Sequence, residues 1–143
     1  MAFQIRNLFL VLCLATAFVA CKEDLAADCE ANKICTEQYV SIVVRFESET
    51  GAAVNVANYT AKNLRTGKVL MEGEDARTDV TGTYVVTADN QLKLFSESGD
   101  EVEVSGTNVA NGDTKTAIFK IKGGKCNCHV EKISGPEKIV LSD

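Results

Sequence analysis

The chain has 143 residues, of which 45% are hydrophobic, and carries fifteen Lys and Arg against twenty Asp and Glu, a formal net charge of −5. A nucleic-acid-binding domain presents a basic face to the phosphate backbone, and no such face is visible in this acidic chain. Nucleic-acid binding is therefore excluded as a main role. The length predicts one domain with one hydrophobic core.

Residues 1–20 have the layout of a cleaved secretory signal peptide. Arg6 supplies a positive charge, an apolar core runs from Leu8 to Val19, and the small residue Ala20 stands at the cleavage position. The apolar core has 12 residues, whereas a membrane-spanning helix needs about 20. The length therefore favours a signal peptide over a retained membrane helix.

The leader ends in Phe18-Val19-Ala20-Cys21, which resembles the lipobox of bacterial lipoproteins, although Phe18 stands where that family more often has Leu. The resemblance implies a diacylglycerol on the Cys21 thiol, removal of residues 1–20, and acylation of the new amino terminus, typically with palmitate. Two or more acyl chains hold a protein stably on a membrane, whereas one chain binds only marginally. A secretory signal that is cleaved without lipid attachment is the alternative.

Lys22-Glu23-Asp24 follows directly and resembles the lysine-plus-acid export signal that sends lipoproteins of some Gram-negative bacteria to the outer face of the outer membrane. We therefore expect a lipid-anchored protein of the bacterial outer membrane, with the leaflet and exposure at the cell surface left open. A solvated charged linker is the other interpretation of these three residues. We assign 21–34 to the lipidated amino terminus and linker, and 35–143 to the folded domain.

The cysteine count supports this assignment. One of six cysteines lies in the leader and Cys21 is assigned to lipid, so an even set of four remains. An oxidising compartment favours two disulfides, and four cysteines allow three connectivities. In an extended strand Cys126 and Cys128 would lie roughly 6.5–7 Å apart, poorly placed to bond each other. We expect each to pair with one of Cys29 and Cys35, and the choice of partner stays open.

From Cys35 onward the sequence predicts seven to nine short strands. The clearest one places Val40, Ile42, Val44 and Phe46 on one face. Turn signals separate the other predicted strands and one short apolar run, which span 54–64, 68–71, 83–87, 92–95 (the apolar run), 101–105, 117–122, 126–133 and 139–141. Helix signals are few, so the predicted fold class is all-β, an antiparallel β-sandwich.

Five short motifs mark turns that lead into strands or close them: Thr50-Gly51, Thr81-Gly82-Thr83-Tyr84, Ser98-Gly99-Asp100, Cys128-His129-Val130 and Ser134-Gly135-Pro136. Together they resemble the carboxypeptidase regulatory-like domains, which are small β-sandwiches of transthyretin-like topology. The resemblance implies a non-catalytic domain with a structural or binding role, and it transfers no individual site residue. An immunoglobulin-like sandwich is the alternative topology, and neither fold would by itself reveal a function.

His129 is the only histidine and directly follows Cys128. Thiolate and imidazole groups suit zinc or copper, so a metal site at Cys126, Cys128 and His129 is an alternative to disulfides. Strand geometry opposes it, because the two cysteines would share one face and the histidine would take the other. We expect no metal and no cofactor. We also expect no catalytic residue, because one histidine supplies no nucleophile, base and orienting group together.

The sequence thus predicts a non-enzymatic outer-membrane lipoprotein that displays a disulfide-stapled β-sandwich for binding or structural use. Apart from the membrane, a protein or glycan ligand is the expected partner. Sheet edges and the loops 72–79 and 108–114 are the expected contact surfaces. The alternative function is that of a periplasmic metal-binding or redox accessory lipoprotein using Cys126, Cys128 and His129.

Overall fold

The computed structural model describes Cys29 and residues 33–143. The predicted signal peptide, acylation site and export signal lie outside the described residues: 1–20, Cys21 and Lys22-Glu23-Asp24. The described part of the chain contains no helix with the length and hydrophobicity needed to span a membrane.

Between residues 33 and 143 the chain forms eight strands and two short 3₁₀ helices. The strands are β1 (Ser41–Ser48), β2 (Val56–Asn63), β3 (Val69–Glu72), β4 (Thr83–Ala88), β5 (Asp100–Asn108), β6 (Thr114–Lys122), β7 (Glu131–Ser134) and β8 (Lys138–Leu141). The 3₁₀ helices are Gly73–Ala76, between β3 and β4, and Asp89–Leu94, between β4 and β5.

The strands form two sheets, one in the order β4-β1-β8 and the other in the order β3-β2-β5-β6-β7. The predicted all-β sandwich is confirmed. Neighbouring strands are antiparallel except β1 and β8, which pair in parallel from Arg45 with Lys138 to Ser48 with Leu141. This one parallel pair departs from the expected antiparallel arrangement. It forms because the chain leaves β7 in one sheet and enters the other sheet in the same direction as β1.

The apolar run 92–95, to which the sequence assigned no element, overlaps the 3₁₀ helix Asp89–Leu94. One predicted strand differs from the structure. The predicted strand 126–133 is irregular up to Val130, and β7 begins only at Glu131. The chain crosses over the 3₁₀ helix here, and the Gly124 N–H donates to the Leu92 carbonyl at 2.8 Å. That contact draws 123–130 out of the sheet, so strand periodicity does not apply to it.

The core lies between the two sheets. In β1, Ile42, Val44 and Phe46 are buried while the alternate residues face solvent, as the period of two predicts. Phe46 packs edge-on against the rings of Tyr59 and Tyr84, whose centroids lie 4.6 Å apart in a stacked arrangement. Burying a side chain of this kind contributes roughly 1.5–3 kcal/mol. The core thus joins β1, β2 and β4 across the sandwich.

The sandwich has two distinct ends. At one end β2 and β6 finish and β5 begins, since Asn63 pairs with Val102 and Asp100 pairs with Ile121. We call this the disulfide end; its segments are 29, 33–40, 63–68, 89–99 and 122–131. At the far end Asn108 Nδ2 donates to the Ser142 carbonyl at 2.8 Å. The segments of the far end are 48–55, 77–82, 108–114 and 141–143.

Candidate functional site

Two disulfides join the start of the described chain to its last quarter. Cys29 bonds Cys126 and Cys35 bonds Cys128, with Cα–Cα distances of 5.0 and 5.3 Å, which lie in the usual range for disulfides. The expectation that each late cysteine pairs with an early one is confirmed, and the structure selects one of the two open pairings. The strand geometry on which this expectation rested is wrong, because Cys126 and Cys128 lie in an irregular loop.

The disulfides enclose nearly the whole domain. Their partners are 97 and 93 residues apart in sequence. On the chain-entropy model a loop of this length stabilises the fold by about 4–5 kcal/mol. The two bonds therefore fix the amino-terminal segment to the disulfide end of the sandwich.

A polar network beside the disulfides connects three segments through Asp89. Its Oδ2 atom lies 2.6 Å from His129 Nδ1 and accepts from the Val40 N–H at 2.8 Å, while its Oδ1 atom accepts from the Val130 N–H at 2.9 Å. His129 Nε2 lies 2.9 Å from the Thr36 hydroxyl. The network ties the amino-terminal segment, the end of β4 and the disulfide loop together.

The environment of Asp89 favours its ionised form. Its side chain is 14% exposed, and this burial by itself would raise the pKa of the carboxyl group. Hydrogen bonds from His129 and from the backbone N–H groups of Val130 and Val40 outweigh burial, so the pKa of Asp89 lies below its ordinary value. A charged carboxylate with several donors holds those donors more strongly than a neutral acceptor does.

The order hydroxyl, imidazole, carboxylate in Thr36, His129 and Asp89 is also the order that activates a nucleophile in acyl-transfer enzymes. Sequence reasoning missed this grouping, because 93 residues separate Thr36 from His129 and no local pattern links them. Asp89 also binds two backbone N–H groups, from Val40 and Val130. Because of these two hydrogen bonds to the backbone, we interpret the network as a structural brace that holds the three segments together.

The residues of the alternative metal site lie close together, but their side chains already have other partners. The sulfur atoms of Cys126 and Cys128 are in disulfides, so a thiolate ligand would require reduction first. The His129 ring contacts Asp89 and Thr36. Within the described residues, no group of three or more His, Cys, Asp or Glu side chains has the arrangement of a metal site.

A cleft of about 390 Å³ opens at the same end, along the 3₁₀ helix Asp89–Leu94 and the turn that precedes β3. Lys68 and Lys93 line it together with Asn90 and Asp89. Both lysines are exposed, and neither forms a salt bridge within the part of the chain that the structure describes. Lys68 and Lys93 therefore bring two positive charges to the cleft, beside the hydrogen-bonded carboxylate of Asp89. The sequence did not reveal this pair because Lys68 comes from a turn and Lys93 from the 3₁₀ helix.

A third positive charge next to this cleft, the guanidinium of Arg65, is neutralised by the buried carboxylate of Asp100. The side chain of Asp100 is 1% exposed and accepts from Arg65 Nε at 2.7 Å, from the Ser96 hydroxyl at 2.6 Å and from Asn63 Nδ2 at 2.8 Å. Although burial opposes ionisation, these donors, Arg65 first among them, hold the pKa of Asp100 far below its ordinary value. Arg65 thus stabilises the turn between β2 and β3, whereas the charges of Lys68 and Lys93 stay available.

The loops predicted as contact surfaces lie at the surface and have internal contacts of their own. In 72–79, the Arg77 guanidinium contacts the Glu74 carboxylate at 2.6 Å. In 108–114, the side-chain amide of Asn111 donates to the Ser142 carbonyl at 3.0 Å. These contacts order the two loops, and the role predicted for them stays a prediction.

In comparisons with known proteins, no family model, no curated protein and no solved structure matches this chain.

Proposed function

We propose that the protein is a non-enzymatic lipoprotein of the bacterial outer membrane. It is held by acylated Cys21 and displays a disulfide-stapled β-sandwich for binding or structural use. The observation that supports this best is the pair of disulfides at one end of the sandwich. They occupy the four cysteines that follow Cys21, so the proposed lipid site has no competing partner among them.

The disulfides also favour a location outside the cytoplasm, because structural disulfides persist in oxidising compartments. An anchored domain benefits mechanically from them as well. Cys21 lies eight positions before Cys29, so a pull on the lipid anchor passes into the sandwich through covalent bonds close to the anchor. The fold therefore suits a domain that is displayed from a membrane.

Lys22-Glu23-Asp24 supports export to the outer membrane, with display at the cell surface as the finer proposal. The β-sandwich is in keeping with the resemblance to carboxypeptidase regulatory-like domains of transthyretin-like topology, whose roles are structural or in binding. We propose a protein or glycan as the partner, contacted through the sheet edges and through the loops 72–79 and 108–114.

Mass spectrometry of the protein extracted from membranes tests the anchor. We expect a mature chain that begins at Cys21 and carries a diacylglycerol and an amino-terminal acyl group. The variant Cys21→Ser should leave the membrane fraction, while the same substitution at leader position Cys13 should leave anchoring unchanged. A Cys21→Ser protein that stays in the membrane would contradict the proposal.

Protease treatment of intact cells tests surface display. The protein should be cut in intact cells if it is exposed, and a variant with Lys22, Glu23 and Asp24 all replaced by Ala should become resistant until the outer membrane is permeabilised. Equal resistance of both proteins would place the sandwich inside the envelope and contradict surface display.

A further inference from the structure

We infer that the disulfide end of the sandwich rests against the membrane, with Lys68 and Lys93 bound to phosphate-bearing anionic lipid headgroups. The inference rests on the proposed lipid anchor at Cys21. It adds an orientation and a second membrane contact to that proposal, and it assigns a ligand class to the cleft along the 3₁₀ helix Asp89–Leu94.

The length of chain between the anchor and the first disulfide limits the distance to the membrane. Cys29 is bonded to Cys126 at the disulfide end, and eight residue steps separate it from Cys21. A chain of that length spans less than about 30 Å even when fully extended. The disulfide end is therefore the part of the sandwich that the anchor holds nearest to the lipid surface.

The charges at this end suit an anionic surface. Lys68, Lys93 and Lys125 are exposed, and none of the three forms a salt bridge within residues 33–143. Most carboxylates of this end are engaged by donors within the fold: Asp89 with His129, Asp100 with Arg65, Glu131 with Lys122, and Glu97 with Asn127 and the Cys126 N–H. Glu37 and Glu101 add two exposed carboxylates. Among the groups of this end that have no partner in the described fold, the three lysines therefore outnumber the carboxylates.

The far end of the sandwich carries exposed carboxylates. Glu49, Asp79 and Asp143 are exposed there. An anionic membrane attracts lysines close to its surface and repels carboxylates. Because the chain as a whole is acidic, contact through the disulfide end is the orientation that brings cations to the headgroups and keeps these acids away from them.

At the proposed membrane contact, the cleft has room to bind one lipid headgroup. Lys68 lines it from the turn before β3, Lys93 lines it from the 3₁₀ helix, and Asn90 adds a side-chain amide. Lysine binds phosphate as a point charge, so two lysines around a volume of about 390 Å³ suit a phosphate together with part of its glycerol. The Asp89 carboxylate, which also lines the cleft, is turned toward the donors of Val40, Val130 and His129.

Lysine labelling on vesicles tests the inference. The acylated full-length mature protein is reconstituted into phosphatidylcholine vesicles with or without phosphatidylglycerol and treated with an amine-reactive reagent, and each lysine is quantified by mass spectrometry. Phosphatidylglycerol should slow the labelling of Lys68 and Lys93 by about fivefold, and high salt should remove this protection. Lys115, near the far end, should react at the same rate on both kinds of vesicle.

Charge-reversal variants provide the matched control, with protection of Lys125 as the readout. Lys68→Glu with Lys93→Glu should abolish the protection of Lys125 by phosphatidylglycerol. Arg45→Glu with Arg77→Glu, at exposed positions toward the far end, makes the same change in net charge and should leave the protection intact. All four positions are exposed, so neither variant should disturb the core.

The outcomes separate the two proposals. Acylated protein with Lys68 and Lys93 equally reactive on both vesicles would overturn the membrane contact and leave the anchor standing. Equal protection by inorganic phosphate in solution would also overturn it, because the cleft would then bind soluble anions. An unmodified Cys21 in the intact mass would overturn the anchor and, with it, this inference.

Discussion

His129 and Asp89 are joined by a 2.6 Å contact between Nδ1 and Oδ2, across 40 residues of sequence. The contact connects the loop that carries both late disulfide cysteines to the end of β4. Asp89 also accepts from the backbone N–H groups of Val40 and Val130, so one carboxylate holds the three segments that meet at the disulfide end. Covalent and polar restraints thus act on the same part of the fold.

Asp89→Ala should destabilise the protein by about 2–4 kcal/mol, because the Val40 and Val130 N–H groups lose their acceptor in a part-buried site. Denaturant unfolding measures the change in the free energy of unfolding, and hydrogen exchange should show faster exchange at those two amides. Asn90→Ala, at the exposed neighbouring position, is the control and should change stability by less than about 0.5 kcal/mol. Unchanged exchange at Val40 and Val130 in Asp89→Ala would contradict the bracing role.

Stability should depend on pH through Asp100. Its pKa lies below the ordinary value in the folded state, so the unfolded chain binds a proton first as the pH falls. The stabilisation is therefore complete above about pH 5 and is lost progressively as the pH drops through 4 toward the folded-state pKa. Asp100→Asn should be less stable at pH 7 by about 2–3 kcal/mol and should lose less stability between pH 5 and pH 3. Urea unfolding at several pH values measures both effects. If the free energies of unfolding of the wild type and of Asp100→Asn change with pH in parallel, Asp100 is not the source of the pH dependence.

Tyr84→Phe should cost about 1–2 kcal/mol. The Tyr84 hydroxyl is buried, accepts from the Val56 N–H at 2.9 Å and donates to the Val56 carbonyl at 3.2 Å, so removing it leaves both groups without their partner. Tyr39→Phe removes a hydroxyl from a side chain that is 63% exposed and serves as the matched control. Thermal unfolding compares the two variants, and equal melting temperatures would show that the hydroxyl of Tyr84 contributes nothing.

The two disulfides should leave no titratable thiol in the folded domain. Peptide mapping without reductant should recover Cys29 linked to Cys126 and Cys35 linked to Cys128. Replacing Cys35 and Cys128 together by Ser leaves the long loop closed by Cys29–Cys126 and releases only the short loop between the two bonds. The free energy of unfolding should therefore fall by about 2–3 kcal/mol on the chain-entropy model. Free thiols together with stoichiometric bound metal in the purified protein would instead favour the alternative metal or redox function.

Two glycines should respond to substitution for different reasons. A Cβ at Gly106 would lie 2.7 Å from Val56 Cγ2 and 2.8 Å from Phe46 Cζ, so Gly106→Ala should cost about 1–3 kcal/mol through overpacking. Gly112 has open space around it but a φ of +76°, so Gly112→Ala should be strained, whereas Gly112→Asn should be tolerated better because Asn accepts this backbone conformation. Chemical denaturation ranks the variants. A Gly106→Ala protein as stable as the wild type would show that the core has room for a methyl group.

Much of the fold could be predicted because its signals are local. Alternation of apolar and polar residues is set by neighbours two positions apart, so the buried faces of β1, β5 and β6 follow from Val44, Val104 and Phe119 and their neighbours. The same method failed at 126–130, where apolar and small residues leave the sheet because the loop packs on the 3₁₀ helix. Periodicity reports which face of a strand is apolar and carries no information on whether a partner strand is present.

The sequence by itself determined the fold class, the even set of four cysteines after Cys21 and the expectation that early cysteines pair with late ones. Only the tertiary structure decided that Cys29 meets Cys126, that β8 runs parallel to β1, that Asp89 joins Val40, Val130 and His129, and that Lys68 and Lys93 share a cleft. The physical reason is the range of the interactions. Strand patterns and turns depend on residues a few positions apart, whereas each of these contacts joins residues 25 or more positions apart and forms only when the two sheets have packed.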